Sequence, residues 1–321
     1  MTNTLEDLSY YGVWSAMMVL TVAFIAFALD LAHRSAVVAA QRAAASAGEA
    51  VVGGRSGGIA TLQRSTTAEA PKRSPRYQRV GVALSVLAWA MLLASDIMRG
   101  VAAGRVPWAN MFEFSLTAMT IILGIFLLVL IKVEIGYLGT FVTGFGLVAL
   151  GVATVNFYVP ISPLPPALQS YWIVIHVLVA MMGTAFFAIG TFLSILQLLQ
   201  LRREASRTEG LRMMESLPGA ERLENLAYRI IVVGFVLWTF TLMAGSIWAE
   251  HAWGSYWSWD TKEVWTFIIW VLYAGYIHAR ATRGWRGARS AWLAIIGFSA
   301  VLFNFTIVNL FFKGLHTYSG L

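Results

Sequence analysis

Cysteine is absent from the 321 residues of this chain, and charged residues are scarce, at 12%. The first absence excludes a disulfide, a thiolate-bound metal, an iron–sulfur cluster and thiol exchange by this chain. The second separates the sequence from soluble domains, in which roughly a quarter of the residues are charged. Hydrophobic residues make up 58% of the chain. An excess of this size indicates a protein whose main solvent is lipid.

Eight apolar runs have roughly the length of a membrane-spanning helix, so we expect an all-α polytopic membrane protein. The runs cover about 12–33, 79–98, 111–131, 137–157, 172–200, 230–248, 264–281 and 291–312. Residues 34–78 are rich in Ala, Gly and Ser and lack a sustained apolar period, which predicts a mostly disordered cytoplasmic linker. The expected organisation is an N-terminal transmembrane helix at 1–33, that linker, and a seven-helix membrane domain at 79–321.

The distribution of Lys and Arg predicts the orientation of these spans. Of the 23 basic residues, 19 lie in four loops that fall on one side of eight spans, namely 34–79, 201–229, 279–290 and Lys132. That side is predicted to be the cytoplasm, with both termini outside. The outer loops are then about 99–110, 158–171 and 249–263. Because topology accounts for the net charge of +7, we expect no nucleic-acid partner.

The third outer loop is unusually rich in aromatic residues and reads WAEHAWGSYWSWDTKEVW over 248–265. Seven of the 13 tryptophans lie within 238–270. An aromatic belt at the headgroup level explains single rings at helix ends. It does not explain Trp253, Trp257 and Trp259 together in seven residues. A flat, polarisable, apolar ligand accounts for that density better.

The five histidines fall at two depths. His176 and His316 lie near the predicted outer face, whereas His33 and His278 end spans on the cytoplasmic side, and His251 lies inside the Trp-rich loop. A single histidine in a helix is commonly a packed or hydrogen-bonded residue. However, ionisable residues in a membrane raise a functional hypothesis, and neutral imidazole is a frequent axial ligand of haem iron. The two sets therefore predict two bis-histidine haem sites, one above the other.

Several charged residues near these histidines have two interpretations each. Asp30 lies three residues before His33 on the same helical face, so it either orients that imidazole or is an ordinary polar residue at a helix end. His251 either contacts a haem propionate or caps the loop. The other candidates for propionate contacts are Asp260, Lys262, Glu263, Arg99 and Arg105. For the three loop residues the alternative is a solvated turn.

The segment WGSYWSWDTKEVWTFIIWVLYAGYIHAR resembles the WWD signature of the CcsA (ResC) family of cytochrome c biogenesis proteins. That signature belongs to a wider haem-handling group that includes CcmC and CcmF. Three further segments resemble the family: PWANMFEFS at 107–115, PALQSYWIVIHV at 166–177 and FNFTIVNLFFKGLHTYSG at 303–320. The resemblance covers spans three to eight and is absent from the linker. Thr261 stands where the family usually has proline.

The resemblance implies the haem-binding subunit of a System II cytochrome c synthase (a haem lyase) in a bacterial plasma membrane. In that family, haem b reaches an outer site over the WWD loop (249–265), where its vinyl groups are joined to the CxxCH thiols of apocytochrome c. The implied site residues are the outer ligands His176 and His316, the inner ligands His278 and His33, and the loop residues Trp253, Trp257, Trp259, Asp260 and Trp265. The implied partners are a CcsB (ResB)-like membrane protein and, indirectly, a thioredoxin-like thiol-reducing pathway.

Other classes of function stay open from the sequence. A haem exporter without ligation activity would use the same histidines but would yield no covalent cytochrome c. A haem electron-transfer subunit acting on quinone would hold stable, reversible redox haems and would not need the outer loop. A purely structural membrane subunit would leave the pairing of the histidines unexplained.

Overall fold

A computed structural model describes residues 2–53, 76–164, 168–206, 214–282 and 284–316. These residues are mostly helical and no strand occurs among them, which confirms the predicted all-α membrane protein. A helix satisfies its own backbone hydrogen bonds, as lipid requires of a spanning segment. The helices are α1 (Thr2–Gly53), α2 (Arg76–Ala103), α3 (Met111–Lys132), α4 (Gly139–Asn156), α5 (Tyr171–Ser206), α6 (Ala220–Trp253), α7 (Thr261–Thr282), α8 (Ala288–Phe305) and α9 (Ile307–Phe311).

Seven helical stretches in the described ranges are long and apolar enough to cross a membrane. They correspond to seven of the eight predicted spans. The remaining predicted span, 264–281, is α7, which has 22 residues and is more polar because it begins with Thr, Lys and Glu. The last predicted span consists of two helices, since α8 ends at Phe305 and the short α9 follows it.

The first helix is longer than the sequence predicts. Instead of entering a linker at residue 34, α1 continues to Gly53, and α2 begins at Arg76. Alanine is the strongest helix former, and the stretch after Arg34 is rich in it. Arg34 also pairs with Asp30 on its own helix and donates to Gln78 on α2, which ties the two helices together. The middle of the predicted linker, 54–75, lies outside the described residues.

The Trp-rich loop is shorter than the predicted 249–265. Helix α6 continues to Trp253 and α7 begins at Thr261, which leaves 254–260 as the loop. Gly254 ends α6 in the left-handed region, with φ of 71°. Glycine adopts this conformation without steric cost and commonly ends helices in this way. His251 and Trp253 therefore belong to the last turn of α6.

The segments that the sequence assigns to the outer face meet at one end of the helix bundle. The Ile161 amide donates to Glu6 at the start of α1, with 2.9 Å between nitrogen and oxygen. Arg99, near the end of α2, donates to the carbonyl of Val159 over 2.8 Å. We call this end, which also carries the Trp-rich loop, the predicted outer end. Its assignment to the outside of the cell stays a prediction from the basic residues.

The opposite end of the bundle is held together by ion pairs. Arg42 of α1 and Arg203 of α5 both contact Glu215, at 2.7 and 3.1 Å. Arg280 of α7 contacts Glu224 of α6 at 3.4 Å. Arg42 is exposed, and an exposed pair contributes little stability, whereas Arg280 and Glu224 are largely buried. These ion pairs show that the ends of α1, α5, α6 and α7 that the sequence assigns to the cytoplasm share one end of the bundle.

Candidate functional site

A cavity of about 370 Å³ lies at the predicted outer end, between α3, α4, α5, α6 and α8. Its volume is in the range of small-molecule binding sites, which are usually apolar with a few polar groups. Its walls are largely apolar, including Phe145, Phe298 and Phe305. Both predicted outer ligands, His176 and His316, line this cavity. The structure therefore brings together two residues that are 140 positions apart.

His176 lies in the second turn of α5, with its imidazole against α6. Its Nδ1 atom is 3.0 Å from the backbone oxygen of Thr241. The ring can lie so close because residue 245 is glycine. A Cβ atom at Gly245 would come within 2.7 Å of the imidazole. Since a carbonyl oxygen only accepts, Nδ1 carries the proton and Nε2 is the nitrogen with a free lone pair.

His316 follows α9 and is held by the loop carboxylate Asp260. Its Nδ1 atom is 2.8 Å from Oδ2 of Asp260. The amide of Leu315 donates to the other oxygen, Oδ1, over 3.0 Å. Gly314 allows this approach, because any side chain there would collide with the carboxylate. The His316 hydrogen bond is the main cause that holds the pKa of Asp260 below its usual value. Asp260 is therefore an ionised acceptor, and Nε2 of His316 is the nitrogen left for a metal.

One indole contacts both imidazoles. The ring of Trp248 stacks on His176, with centroids 5.9 Å apart and planes 12° apart. The same ring meets His316 edge to face at 5.4 Å. Trp253, one turn further along α6, contacts His316 at 4.7 Å and Trp248 at 4.7 Å. Trp248 is 2% exposed. These two tryptophans thus form an aromatic wall beside the histidine pair.

Asp260 also begins α7. Its backbone oxygen accepts from the amide of Val264 over 3.0 Å, and its side chain accepts from the amide of Lys262 over 3.2 Å. Glu263 accepts in return from the amides of Asp260 and Ser258, over 3.2 and 2.9 Å. This reciprocal arrangement resembles a capping box, with the side-chain bond of Asp260 made to the second helical residue, Lys262. The carboxylate that orients His316 is therefore fixed by the start of a helix.

Thr261, the departure from the usual family pattern, occupies the first position of α7. Proline is also favourable at the first position of a helix, because that residue needs no backbone N–H partner within the helix. Threonine and proline are therefore compatible with the same turn.

A second cap places the PWANMFEFS segment on the cavity wall. Asn110 begins α3 and accepts from the amide of Glu113 over 2.9 Å. The fully buried Glu113 accepts from Ala109, from Nε of Arg99 at 3.0 Å and from Nη1 of Arg105 at 2.7 Å. The two arginines that the sequence offers for propionate contacts are thus engaged by Glu113, and neither lines the cavity. Their contacts order the loop that carries Asn110.

The predicted loop tryptophans separate into two groups. Trp253 contacts His316, as described above. Trp257 and Trp259 do not line the cavity and contact each other edge to face at 5.9 Å. Trp259 is 78% exposed and has a φ of 60°, an uncommon conformation for a residue with a side chain. Trp265 lies on α7 and packs on Phe303 at 4.4 Å.

The inner pair is not brought together at this cavity. His33 is partly buried on α1, with its ring 6.3 Å from that of Tyr77 on α2. His278 is exposed on α7. Neither lines the cavity. Asp30 pairs with Arg34 and forms no hydrogen bond with His33. These contacts fit the interpretation of Asp30 as an ordinary polar residue.

His251 is not positioned as a ligand of the cavity. Its Nδ1 atom lies 2.8 Å from the backbone oxygen of Ile247, one turn earlier on α6. It also lies 3.3 Å from the carboxylate of Glu250, and about half of its side chain is exposed. Neither of the sequence-based interpretations is needed to explain these contacts, which are local to the helix end.

Sequence reasoning missed several residues that shape the site. Gly245 and Gly314 make room for His176 and Asp260, Thr241 supplies a carbonyl, and Trp248 contacts both histidines. Glycines within three residues of a key aromatic or histidine are a usable signal of close approach, whereas a backbone carbonyl leaves no trace in the sequence. Within the described ranges, no group of three or more His, Cys, Asp or Glu could hold a metal ion.

Comparisons with known proteins agree with this architecture. Residues 79–316 match the family described as Cytochrome C assembly protein. A cytochrome c biogenesis protein CcsA from Prochlorococcus marinus is 37% identical over 257 residues, which cover 71% of this chain and 80% of the relative. A CcsA from Synechococcus elongatus is 34% identical over 300 residues, covering 77% of this chain and 88% of the relative.

A solved structure of the cytochrome c haem lyase CcmF resembles this chain in fold. The TM-score is 0.60 at 16% identity, and the match covers 94% of this chain but 46% of that protein. Our chain thus spans about half the length of that structure, and the likeness concerns the fold alone. The match over 79–316 and the two relatives rest on sequence, and they show that the chain belongs to the CcsA family of cytochrome c biogenesis proteins.

Proposed function

We propose that this chain holds haem b between His176 and His316 and presents it to apocytochrome c, as the haem-binding subunit of a System II cytochrome c synthase. One observation carries the proposal. Two imidazoles at one apolar cavity each have Nδ1 held by an acceptor, over 3.0 and 2.8 Å. Both Nε2 atoms are therefore the nitrogens available to an iron.

The donor set fits haem. Metal-bound histidines almost always donate their other N–H to a carbonyl or a carboxylate, which fixes the ring and raises its basicity. The Thr241 carbonyl and the Asp260 carboxylate occupy these positions here. The chain has no cysteine, so an axial thiolate is excluded. The apolar walls and the aromatic pair Trp248 and Trp253 suit a flat, hydrophobic ligand.

The residues of this chain contribute binding, orientation and exclusion of water. Asp260 and Thr241 orient the two ligands, and the buried Trp248 shields them. Haem supplies the vinyl groups to which cysteine thiols add; each thiol hydrogen goes to a vinyl carbon, so the addition consumes no oxidant or reductant. Because this chain lacks cysteine, a separate thiol-reducing pathway must keep the apocytochrome thiols reduced.

The remaining parts of the proposal rest on the family. They are a CcsB (ResB)-like partner, a bacterial plasma membrane with the WWD loop on the extracytoplasmic side, and a second haem between His278 and His33. The inner haem has weaker support, since one histidine is exposed on α7 and the other lies against Tyr77 on α1. A path of haem from the inner pair to the outer pair is part of the same proposal.

The test is co-expression of the chain with a ResB-like partner and a CxxCH apocytochrome in a bacterial host without its own maturation system. We expect covalent cytochrome c, measured by haem staining of denaturing gels. His176→Ala and His316→Ala should each lower the yield at least about tenfold, as expected for loss of a metal ligand. His251→Ala is the matched control and should retain the yield.

The same experiment separates the alternatives. A haem exporter would deliver haem to the outside without covalent product. A quinone-linked electron-transfer subunit would hold haem that quinol reduces reversibly, again without covalent product. Full yield from both the His176→Ala and His316→Ala variants would contradict the proposed site.

A further inference from the structure

One wall of the largely apolar cavity is polar. It consists of Lys262 and Thr266 on α7, Asn304 on α8 and Asn309 on α9. The Lys262 ammonium donates to Oδ1 of Asn309. Thr266 donates to the Lys262 carbonyl over 2.8 Å and accepts from Asn304 Nδ2 over 3.2 Å. These contacts hold the polar wall together and fix the position of the ammonium group.

Two groups of this wall have unused hydrogen-bonding capacity in the described part of the chain. Lys262 makes no ion pair there, although an ammonium has three donors and only Asn309 accepts one of them. Oδ1 of Asn304 is buried without a hydrogen bond. A charge beside apolar walls is costly unless it is paired. The Lys262 ammonium thus has donors left for an anionic ligand, whereas the Asn304 oxygen only accepts and would need a donor.

The nearby acids accept hydrogen bonds from other groups, and neither forms an ion pair with Lys262 in the described residues, although the Asp260 charge attracts its ammonium. Asp260 accepts from His316 and Leu315, and Glu263 accepts from Ser258. Both carboxylates would in addition repel a ligand carboxylate. Of the five charged residues near the outer face that the sequence offers for propionate contacts, Lys262 is therefore the one whose charge and position fit that role.

We infer that Lys262 is the carboxylate-recognition residue of this cavity and binds a propionate of the haem held by His176 and His316. This inference rests on the proposed function. It adds that Lys262 makes the cavity prefer porphyrins with free carboxylates. The Lys262 ammonium and the histidine pair line one cavity, so one ligand meets both. Charge-assisted hydrogen bonds are stronger than neutral ones, and here the apolar walls strengthen them further.

The experiment titrates the purified full-length chain with haem and with haem dimethyl ester, whose propionates are methylated and uncharged. Absorption spectra give the two dissociation constants. We expect wild type to bind haem about 10- to 100-fold more tightly than the ester, the range for a hydrogen bond to a charged group. Lys262→Met should bind both with equal affinity. Lys262→Arg should keep a preference for haem, since it retains the charge.

Lys313→Met is the matched control, because Lys313 is exposed and does not line the cavity; it should keep the wild-type preference. Equal binding of haem and ester by wild type, with a normal histidine-ligated spectrum, would overturn the role of Lys262 and leave the haem site intact. An undiminished preference in Lys262→Met would overturn it as well. In contrast, a spectrum unchanged by His176→Ala and His316→Ala would count against the haem site itself.

Discussion

His176 and His316 line one cavity, whereas neither His33 nor His278 does. In the outer pair each Nδ1 has an acceptor on another element, and both rings contact Trp248. In the inner pair one ring lies beside Tyr77 and the other is exposed. The sequence predicts a haem site for each pair, because the position of a residue along a span predicts only its depth in the membrane. Orientation and a shared cavity distinguish them, and these arise from tertiary contacts.

The largest expected difference comes from removing each pair. The double variant His176→Ala/His316→Ala should lose coordinated haem at the outer site, because both axial nitrogens are gone. The double variant His33→Ala/His278→Ala should retain outer haem when haem is added to the purified protein. Haem content and absorption spectra of the two proteins provide the measurement. Equal loss in both variants would remove the distinction between the pairs.

The aromatic neighbours of the two pairs should differ in stability. Trp248 is 2% exposed and contacts both outer histidines, so Trp248→Ala should lower the free energy of unfolding by about 3–5 kcal/mol. Tyr77, beside His33, is 44% exposed, and Tyr77→Ala should cost less than about 1 kcal/mol. Chemical denaturation in detergent compares the two variants. A small effect of Trp248→Ala would show that the aromatic wall is not packed as described.

The carboxylates near the two pairs offer a third comparison. Asp260→Asn should weaken haem binding about 10- to 100-fold, the range found when a group that orients a metal ligand is changed. Asp30→Asn should leave outer haem binding unchanged, because Asp30 pairs with Arg34 and not with His33. Haem titrations of both variants measure this. Unaltered affinity in Asp260→Asn would mean that the carboxylate does not orient His316.

The smallest effect concerns pH. The folded-state pKa of Asp260 is lowered from the usual 3.8, chiefly by the hydrogen bond with His316. A carboxylate with a depressed pKa stabilises the folded state above its unfolded pKa, and this stability is lost as pH falls through the folded value. The stability advantage of wild type over Asp260→Asn that this carboxylate provides should therefore be present above pH 3.8. It should shrink below pH 3.8, and denaturation at stepped pH measures it.

Much of the fold follows from sequence because lipid imposes simple rules. Apolar runs of helix length predict the spans, and basic loops predict which segments share an end. The largest difference lies at residues 34–53, whose small residues predict a linker, whereas the structure has helix there, as alanine favours. At the start of this stretch, Arg34 contacts Asp30 on its own helix and Gln78 on α2. Only the first of these is local enough to be visible in the sequence.

The site was predicted less completely than the fold. The predicted topology places His176 and His316 at the same depth of the membrane. The structure has both residues in one cavity. The orientation of the loop aromatics did not follow from topology, because Gly254 and the reciprocal cap of Asp260 and Glu263 turn Trp257 and Trp259 away from the cavity. The pairing of Arg99 with Glu113, 14 residues apart, likewise depends on how α2 meets α3.

The central claim is that the outer histidines are iron ligands, and replacement of a missing ligand tests it most directly. His176→Gly and His316→Gly should each lose the spectrum of haem with two imidazole ligands, and added imidazole should restore it by entering the space of the missing ring. His251→Gly should keep the wild-type spectrum throughout. Retention of the wild-type spectrum by both His176→Gly and His316→Gly without imidazole would contradict the account.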